Sequence, residues 1–302
     1  MTAAAAQAVA VVGLGNIGYP IASRVHGAVE SLRVRDSDDA KAARFVREHP
    51  GAAAAESLDE LADAAVVLLS LPDSVVVDAV VAGRPDEPGL IDVLSPGSTV
   101  IDMSSSRPDR SHSLERDLAG RGIRFLDAPV SGGVKRARDG SLSIMVGGDA
   151  ALLDEHRALL ERIGTTITHV GPAGAGHAAK ALNNYVSAAG LVATVEALLA
   201  GRGFGIDPLT LVDVFNSSTG RNYTTEHKAR QAMLSGTFDS GFGLQLMAKD
   251  VRTAVELARV LGVRTALGDA AAAVWTEAAA SLAPGADHTE IYSFLERGGA
   301  TP

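Results

Sequence analysis

The chain contains no cysteine. That excludes a catalytic thiol, a disulfide framework and thiolate zinc sites. Positive charge is scarce: 27 Lys and Arg stand against 36 Asp and Glu, for a net charge of −9 and a pI of about 5.4. A nucleic-acid partner therefore has no electrostatic footprint. Long apolar runs are missing too; none reaches roughly 18 residues without a charge or glycine break, so no transmembrane span is expected. The opening "MTAAAAQAVAVVGLG" has no basic region, so no signal peptide is read. Its alanines at 3–6 read as a flexible start, and the expected location is the cytoplasm. The eight histidines form no H-E-x-x-H pair and no close cluster, so no metal site is expected. No G-x-S-x-G is present, and serine-hydrolase chemistry lacks its elbow.

What remains is an ordinary globular composition, 46% hydrophobic over 302 residues, enough for about two domains. In the first half, short Val/Ile/Leu runs at 8–13, 32–36, 65–72, 98–104, 124–130 and 142–148 read as strands buried on both faces. Helical stretches at 16–30, 37–49, 57–64, 74–81 and 106–121 alternate with them. Such alternation predicts a doubly wound parallel sheet, an α/β Rossmann domain. From about 174 no convincing strand follows. Segments 174–203, 207–217, 222–235, 244–262, 266–280 and 287–297 are alanine- and leucine-rich with helical spacing. The expected division is a dinucleotide-binding domain over 1–170 and an all-α domain over 171–302.

"VAVVGLGNIGYPIASRV" places Gly13, Gly15 and Gly18 in G-x-G-x-x-G spacing, with Leu14, Asn16 and Ile17 between them. The motif follows a strand and opens a helix, the context a pyrophosphate-binding turn requires. The first glycine serves the tight turn, the second the backbone approach to phosphate, the third close helix packing. Asp36 ends the second strand. A carboxylate there accepts from a ribose 2′-hydroxyl and repels a 2′-phosphate, which favours NAD over NADP; Arg33 and Arg35 soften that preference. A helix cap for "SDDAKAARF" is the other reading of Asp36.

A second glycine-rich stretch, "DAPVSGGVKRARDGSLSIMVGGD" (127–149), sets Ser131, Gly132 and Gly133 after a strand. Consecutive small residues present backbone N–H groups to an anion; an ordinary β-turn is the alternative. That alternative does not account for the pair at 147–148, which reads as a turn of its own. Lys135, Arg136 and Arg138 read as a solvated face that could draw in anionic substrates. Further on, Lys180 and Asn184 stand four apart on an otherwise apolar helix, so they share a face. Lys180 is either snorkelling at an edge or held for a purpose. His177 reads as a helix-start or interface residue. "NSSTGRNYTTEHK" (216–228) either borders a substrate cleft, with Arg221 or Asn222 as selectors, or is a capped connecting loop.

"GLGNIG", "DAPVSGGVKRARDGSLSIMVGGD", "GPAGAGHAAKALNNYV" and "FGLQLMAKD", in that order across nearly the whole chain, resemble the signature segments of the β-hydroxyacid dehydrogenases, which include 3-hydroxyisobutyrate dehydrogenase and tartronate semialdehyde reductase. The resemblance implies hydride transfer between a nicotinamide cofactor and a small β-hydroxyacid or its semialdehyde. It implies that Lys180 is catalytic with Asn184 as its partner, and that Ser131, Gly132, Gly133 and Asn184 bind substrate. It also places Leu71, Pro72, Ser105 and Lys249 beside the cofactor. The Lys135–Arg138 cluster departs from the small-residue form of this loop.

Two other readings stay open. Imine reductases share the architecture but usually lack the lysine, and 6-phosphogluconate dehydrogenases are longer with a different loop. A non-catalytic NAD(P)-binding protein would be expected to have lost the site residues. The apolar helices of the second half exceed what one small domain easily buries, so a homodimer or homotetramer through that half is expected.

Overall fold

The computed structural model describes residues 7–85 and 87–298, so the alanines at 3–6 lie outside it. The chain divides into two compact units, Met1–Lys180 and Ala181–Pro302.

The first unit is built on nine strands: β1 (Ala8–Val12), β2 (Ser31–Arg35), β3 (Ala52–Ala54), β4 (Val66–Leu69), β5 (Thr99–Asp102), β6 (Arg124–Asp127), β7 (Val130–Ser131), β8 (Leu142–Gly148) and β9 (Gly164–Gly171). The order β3-β2-β1-β4-β5-β6 is parallel throughout. This is the doubly wound arrangement, with a switch point between β1 and β4. β8 then runs antiparallel to β6, β7 antiparallel to β8, and β9 parallel to β8.

Alternate residues supply two cores. Val9, Val11, Leu32, Val34, Val66, Leu68 and Ile101 face one side. Ala10, Val12, Val67, Leu69 and Val100 face the other. Helices α1 (Gly18–Val25) and α2 (Asp39–Glu48) cover the first face through Ile21, Val25 and Phe45. Helices α3 (Ser74–Ala82), α4 (Leu90–Val93) and α5 (Pro108–Ala119) cover the second through Val77, Val81, Leu90 and Leu114. Helices α6 (Gly133–Asp139) and α7 (Ala150–Leu160) return to the first face. Both faces are shielded, which is why the strands are apolar at successive positions instead of alternating.

Several elements escape the sequence pattern. β3 is three alanines, which carry little strand propensity. β9 is a largely exposed strand without an apolar run. Between 57 and 64 only a single 3-10 turn forms, Asp59–Leu61. The 127–149 stretch contains α6, a short basic helix flanked by Gly132 and Gly140, where loop chemistry hid a helical turn. α7 had legible signals: Asp149 caps it through Ala151 N–H, and Leu152, Leu153, Leu159 and Leu160 are buried at helical spacing.

The second unit is helical: the greater part of α8 (Ala175–Phe204), then α9 (Pro208–Ser217), α10 (Tyr223–His227), α11 (Leu244–Val260), α12 (Ala266–Ser281) and α13 (Ile291–Glu296). Met233 lies in a π-helical turn, Ala229–Met233. Among the described residues of this unit no strand forms, only an isolated bridge between Gly243 and Asp287. The lone tryptophan, Trp275, is fully buried with Leu191, Val195, Leu198, Val251 and Ile291. α8 is long and apolar enough to cross a membrane by length and composition, but it is also this unit's core helix, contributing Ala188, Leu191, Val195 and Leu198.

The division falls at Lys180, ten residues beyond the expected 170 and inside α8. The cause is local. The fully buried Asp127 carboxylate accepts the Gly174 N–H at 2.7 Å and the His177 N–H at 2.8 Å, tying the start of α8 to the end of β6. These are orphan N–H groups of a helix's first turn, and buried orphans require partners. Replacing Asp127 with Ala leaves both donors unsatisfied. Urea unfolding of D127A should show a loss of about 2–5 kcal/mol; an unchanged midpoint and slope would rule out this tether.

Candidate active site

The glycine turn joins β1 to α1. Gly13 adopts φ +98, and a Cβ there would collide with the Ser70 carbonyl. A Cβ on Gly18 would overlap the Gly13 carbonyl, so that glycine sets how closely α1 meets the turn. Gly15 differs: it is exposed, and nothing lies within 4 Å of its Cβ position. The turn thus leaves open the space a pyrophosphate would take, at the head of α1. Asn16 is exposed and Ile17 half-buried beside it, whereas Leu14 is buried at 3% exposure in the core under the turn.

Asp36 holds this turn from the next strand. Its Oδ2 accepts the Leu14 N–H at 2.7 Å, and its Oδ1 accepts the Asp38 N–H at 2.9 Å. Lys41 Nζ stands 3.3 Å from Oδ1. Burial would raise the Asp36 carboxyl, but the Asp38 and Leu14 amides and the Lys41 ammonium outweigh it and hold the group below its ordinary value. The cap of α2 is Asp38, which accepts the Ala40 N–H, so Asp36 is not the cap. Leu71 N–H donates to Ser104 Oγ at 2.9 Å, and the Leu71 side chain lies against Gly13. Pro72 is exposed and Ser105 half-buried on the neighbouring strand ends.

Behind Ser105 lies a buried cluster that sequence reasoning did not find. Asp102 and Asp127 are register partners at the ends of β5 and β6, and both are fully buried. His177 sits 3.7 Å from a carboxylate oxygen of each. Its Nε2 donates to the Ser104 carbonyl at 3.2 Å, and its Nδ1 meets Ser111 Oγ at 2.6 Å. Asp102 accepts the Ser104 N–H and the Ser106 hydroxyl. The imidazole therefore ties the Ser104–Ser106 segment to the first turn of α8. Gly147 and Gly176 are small because this carboxylate needs the room: a Cβ on either would overlap Asp127. Gly147 and Gly148 are thus packing residues rather than part of an anion loop.

Ser131 ends β7, pairing with Ser143, and Gly132 and Gly133 follow at φ +137 and +71. Arg136 packs its methylenes where a Gly132 Cβ would stand, while the space over Gly133 is open. Lys180 is buried at 8% exposure, one turn of α8 after His177. A further turn on, Asn184 is buried too, donating to Asp250 Oδ2 at 2.6 Å and accepting from Asn183 Nδ2 at 3.1 Å. Lys249 Nζ lies 3.5 Å from the other Asp250 oxygen. Asp250, the last residue of the "MAKD" segment, thereby joins two of the expected site residues, Asn184 and Lys249. Its signal was present, an acid directly after the lysine, but nothing local marked it as buried.

In the 216–228 loop the selectors do not stand out. Asn222 caps α10 through the Thr224 and Thr225 amides and donates to Thr194 on α8. Arg221 is exposed, 3.8 Å from Glu226. The buried charge of this segment is Lys228, at 8% exposure, with Nζ 3.5 Å from Ser187 Oγ on α8 and 5.2 Å from the Tyr223 ring centroid. Burial pushes this ammonium down to about 8, against the pull of Asp287. Burial, then the Lys228 charge, takes nearby His288 down to about 4.

A parallel 3-2-1-4-5-6 sheet with a glycine turn held by an acid just after the second strand defines a domain of the dinucleotide-binding class. Residues 8–171 match the model of the NAD-binding domain of 6-phosphogluconate dehydrogenase. Residues 174–295 match that described as NAD-binding of NADP-dependent 3-hydroxyisobutyrate dehydrogenase. The chain is 35% identical to the 2-(hydroxymethyl)glutarate dehydrogenase of Eubacterium barkeri, over 81% of this chain and 80% of that protein. It is 35% identical to the NAD-dependent L-serine dehydrogenase of Pseudomonas aeruginosa, over 88% and 90%. The solved structure of Mycobacterium tuberculosis 3-hydroxyisobutyrate dehydrogenase with L-serine superposes with a TM-score of 0.86 at 32% identity, covering 96% of this chain and 99% of that one. The chain belongs to the β-hydroxyacid dehydrogenase family, NAD(P)-dependent oxidoreductases of hydroxyacids.

Two outcomes follow from this geometry. Gly15→Ala should keep the wild-type melting temperature yet weaken NADH binding about tenfold or more, because its methyl enters open space that the phosphates need. Gly18→Ala should instead lower stability, and NADH fluorescence titration beside thermal melts separates the two. The second concerns pH. Lys228 has a folded value near 8 against an ordinary 10.5, so between these values the unfolded chain binds more protons and the group's contribution to stability rises with pH. Lys228→Met should therefore be more stable than wild type at pH 7, with the gap narrowing from pH 8 to 10.5. A gap that does not vary with pH would contradict it.

Proposed function

We propose that this chain oxidises the primary or secondary alcohol of a small β-hydroxyacid, or reduces the matching semialdehyde, using NAD in preference to NADP. The observation that carries the reading is Lys180: an ammonium buried at 8% exposure on α8, one turn before a buried, hydrogen-bonded Asn184. A buried charge is kept only where polar partners hold it, which fixes where its nitrogen stands on this helix.

When bound, the nicotinamide accepts or returns the hydride. The chain's own residues do the rest. Gly13, Gly15 and Gly18 hold the pyrophosphate, and Asp36 accepts from the adenosine ribose and repels a 2′-phosphate. Leu71, Pro72 and Ser105 line the cofactor. Ser131 and the N–H groups of Gly132 and Gly133 take the substrate carboxylate. Lys180 Nζ, as the neutral amine, takes the proton from the substrate hydroxyl during oxidation, and as the ammonium gives one to the carbonyl oxygen during reduction. Asn184, anchored by Asp250, keeps the substrate oxygen within its reach, and Lys249 completes the polar surround. His177 and Asp127 hold the turn of α8 from which Lys180 projects.

L-Serine and 3-hydroxyisobutyrate, named for two relatives, share a hydroxymethyl carbon next to the carbon bearing the carboxylate, and this skeleton is the proposed substrate core. Two imine reductases of known structure, 19% and 21% identical, share the fold; the intact Lys180 favours the hydroxyacid reading over theirs. The helical unit exposes Phe204 and Val260 at 86%, with Leu261 and Leu267 at 68% and 64%. That much bare apolar surface supports a homo-oligomer built through this unit.

The test is absorbance at the NADH band with 3-hydroxyisobutyrate, L-serine, glycerate and threonate, each with NAD and with NADP. Reduction of NAD by at least one of them is expected, with slower reduction of NADP. In Lys180→Ala the turnover should fall roughly 10²–10⁴-fold, with NADH affinity preserved. Near-normal turnover in that variant would remove Lys180 from the chemistry.

A further inference from the structure

Lys228 is a buried cation without an anion. Among the described residues no carboxylate lies within ion-pair distance of it, and its one hydrogen bond is the 3.5 Å contact to Ser187 Oγ. Asp287, the acid that attracts it, is already occupied. Asp287 accepts the Ser240 hydroxyl, the Gly241, Phe242 and Thr289 amides and the Thr289 hydroxyl. His288 offers no charge of its own: its Nδ1 meets the Phe242 carbonyl, which only accepts, so that nitrogen carries the proton of a neutral ring. The Tyr223 ring covers one side of the ammonium.

The position of this cation along α8 is informative. Lys180, Asn184 and Ser187 follow at i, i+4 and i+7, the spacing of one helix face. Ser187 lies seven residues beyond Lys180, an axial rise of about 10 Å. Ser187 is half-buried, and beside it Gly190 leaves open the space a Cβ would fill, with no heavy atom within 4 Å. The helix face that carries Lys180 and Asn184 thus runs on to a hydroxyl that meets the Lys228 ammonium, with open space over Gly190 one turn further on.

We propose that Lys228 and Ser187 form a second anion subsite, which binds the distal carboxylate of a β-hydroxy diacid. The inference rests on the β-hydroxyacid dehydrogenase reading and narrows its substrate class. One ammonium and one hydroxyl suit a singly charged, two-oxygen group; a phosphoryl dianion would call for more positive charge. The subsite sets which acid is preferred and takes no part in hydride or proton transfer.

Calorimetric titration of the NADH-loaded protein with glutarate and with butyrate reads the subsite without turnover. Wild type should bind glutarate more tightly. In Lys228→Met that preference should fall about 10- to 100-fold, with a smaller fall in Ser187→Ala, while Lys228→Arg keeps most of it. In steady-state assays, 2-(hydroxymethyl) diacids should exceed 3-hydroxyisobutyrate in kcat/KM, and Lys228→Met should shrink that ratio through KM. Lys228→Gln serves if the methionine variant does not fold. Equal affinities for glutarate and butyrate in wild type, or a preference that survives in Lys228→Met, overturns the subsite. No NADH from any hydroxyacid, with the glutarate preference intact, overturns the dehydrogenase reading instead and leaves the subsite standing.

Discussion

A single buried carboxylate organises the C-terminal ends of the first unit's parallel strands. Asp127 lies at the end of β6, fully shielded from water, and both its oxygens are spent on the first turn of α8 through Gly174 and His177. A carboxylate so placed is stabilised only while its donors stay in position, and those donors have no other partners. The constraint spreads outward. Gly147 and Gly176 must be glycine to make room for it. His177, held by it, reaches across to Asp102 and the Ser104 carbonyl and so fixes the segment that carries Ser105. Lys180 stands one turn further along the same helix. The orientation of the proposed proton carrier is therefore inherited from a group that never touches a reactant.

The turn at Gly13–Gly18 shows the same economy. Asp36, proposed to meet the cofactor ribose, binds the Leu14 amide and steadies the turn itself. The donors around this carboxyl hold it below its ordinary value. The helical unit contains the contrasting case. Asp250 and Asn184 pair closely, but Lys228 is buried beside an acid whose lone pairs are already taken. Polar burial that is fully satisfied fixes structure; polar burial left half satisfied points to a missing partner.

Much of this was readable from residue order. Strong apolar runs marked β1, β2, β4, β5, β6 and β8, because strands covered on both faces cannot hide their composition. The helices of the second unit were legible from spacing and from their Gly and Pro ends. The glycine turn and Asp36 were legible because strand, turn and acid lie within one local unit. β3 and β9 were not, being held by neighbouring strands more than by their own propensity. α6 was hidden by glycines and charge at its ends.

The residue pattern alone determined the doubly wound domain, the helical domain after it, the cofactor class and the list of residues expected at the site. These depend on periodicity and short spacings, which the chain carries wherever it folds. Only the tertiary structure decided that Gly147 and Gly148 serve packing, that Asn222 is a cap, that His177 joins two buried acids, and that Lys228 lacks a counter-charge. Apart from the Asn222 cap, which holds amides two and three residues on, each of these depends on groups some 20 to 75 residues apart in the chain meeting away from water. Burial and pairing at that range are properties of the folded packing, and no local pattern encodes them.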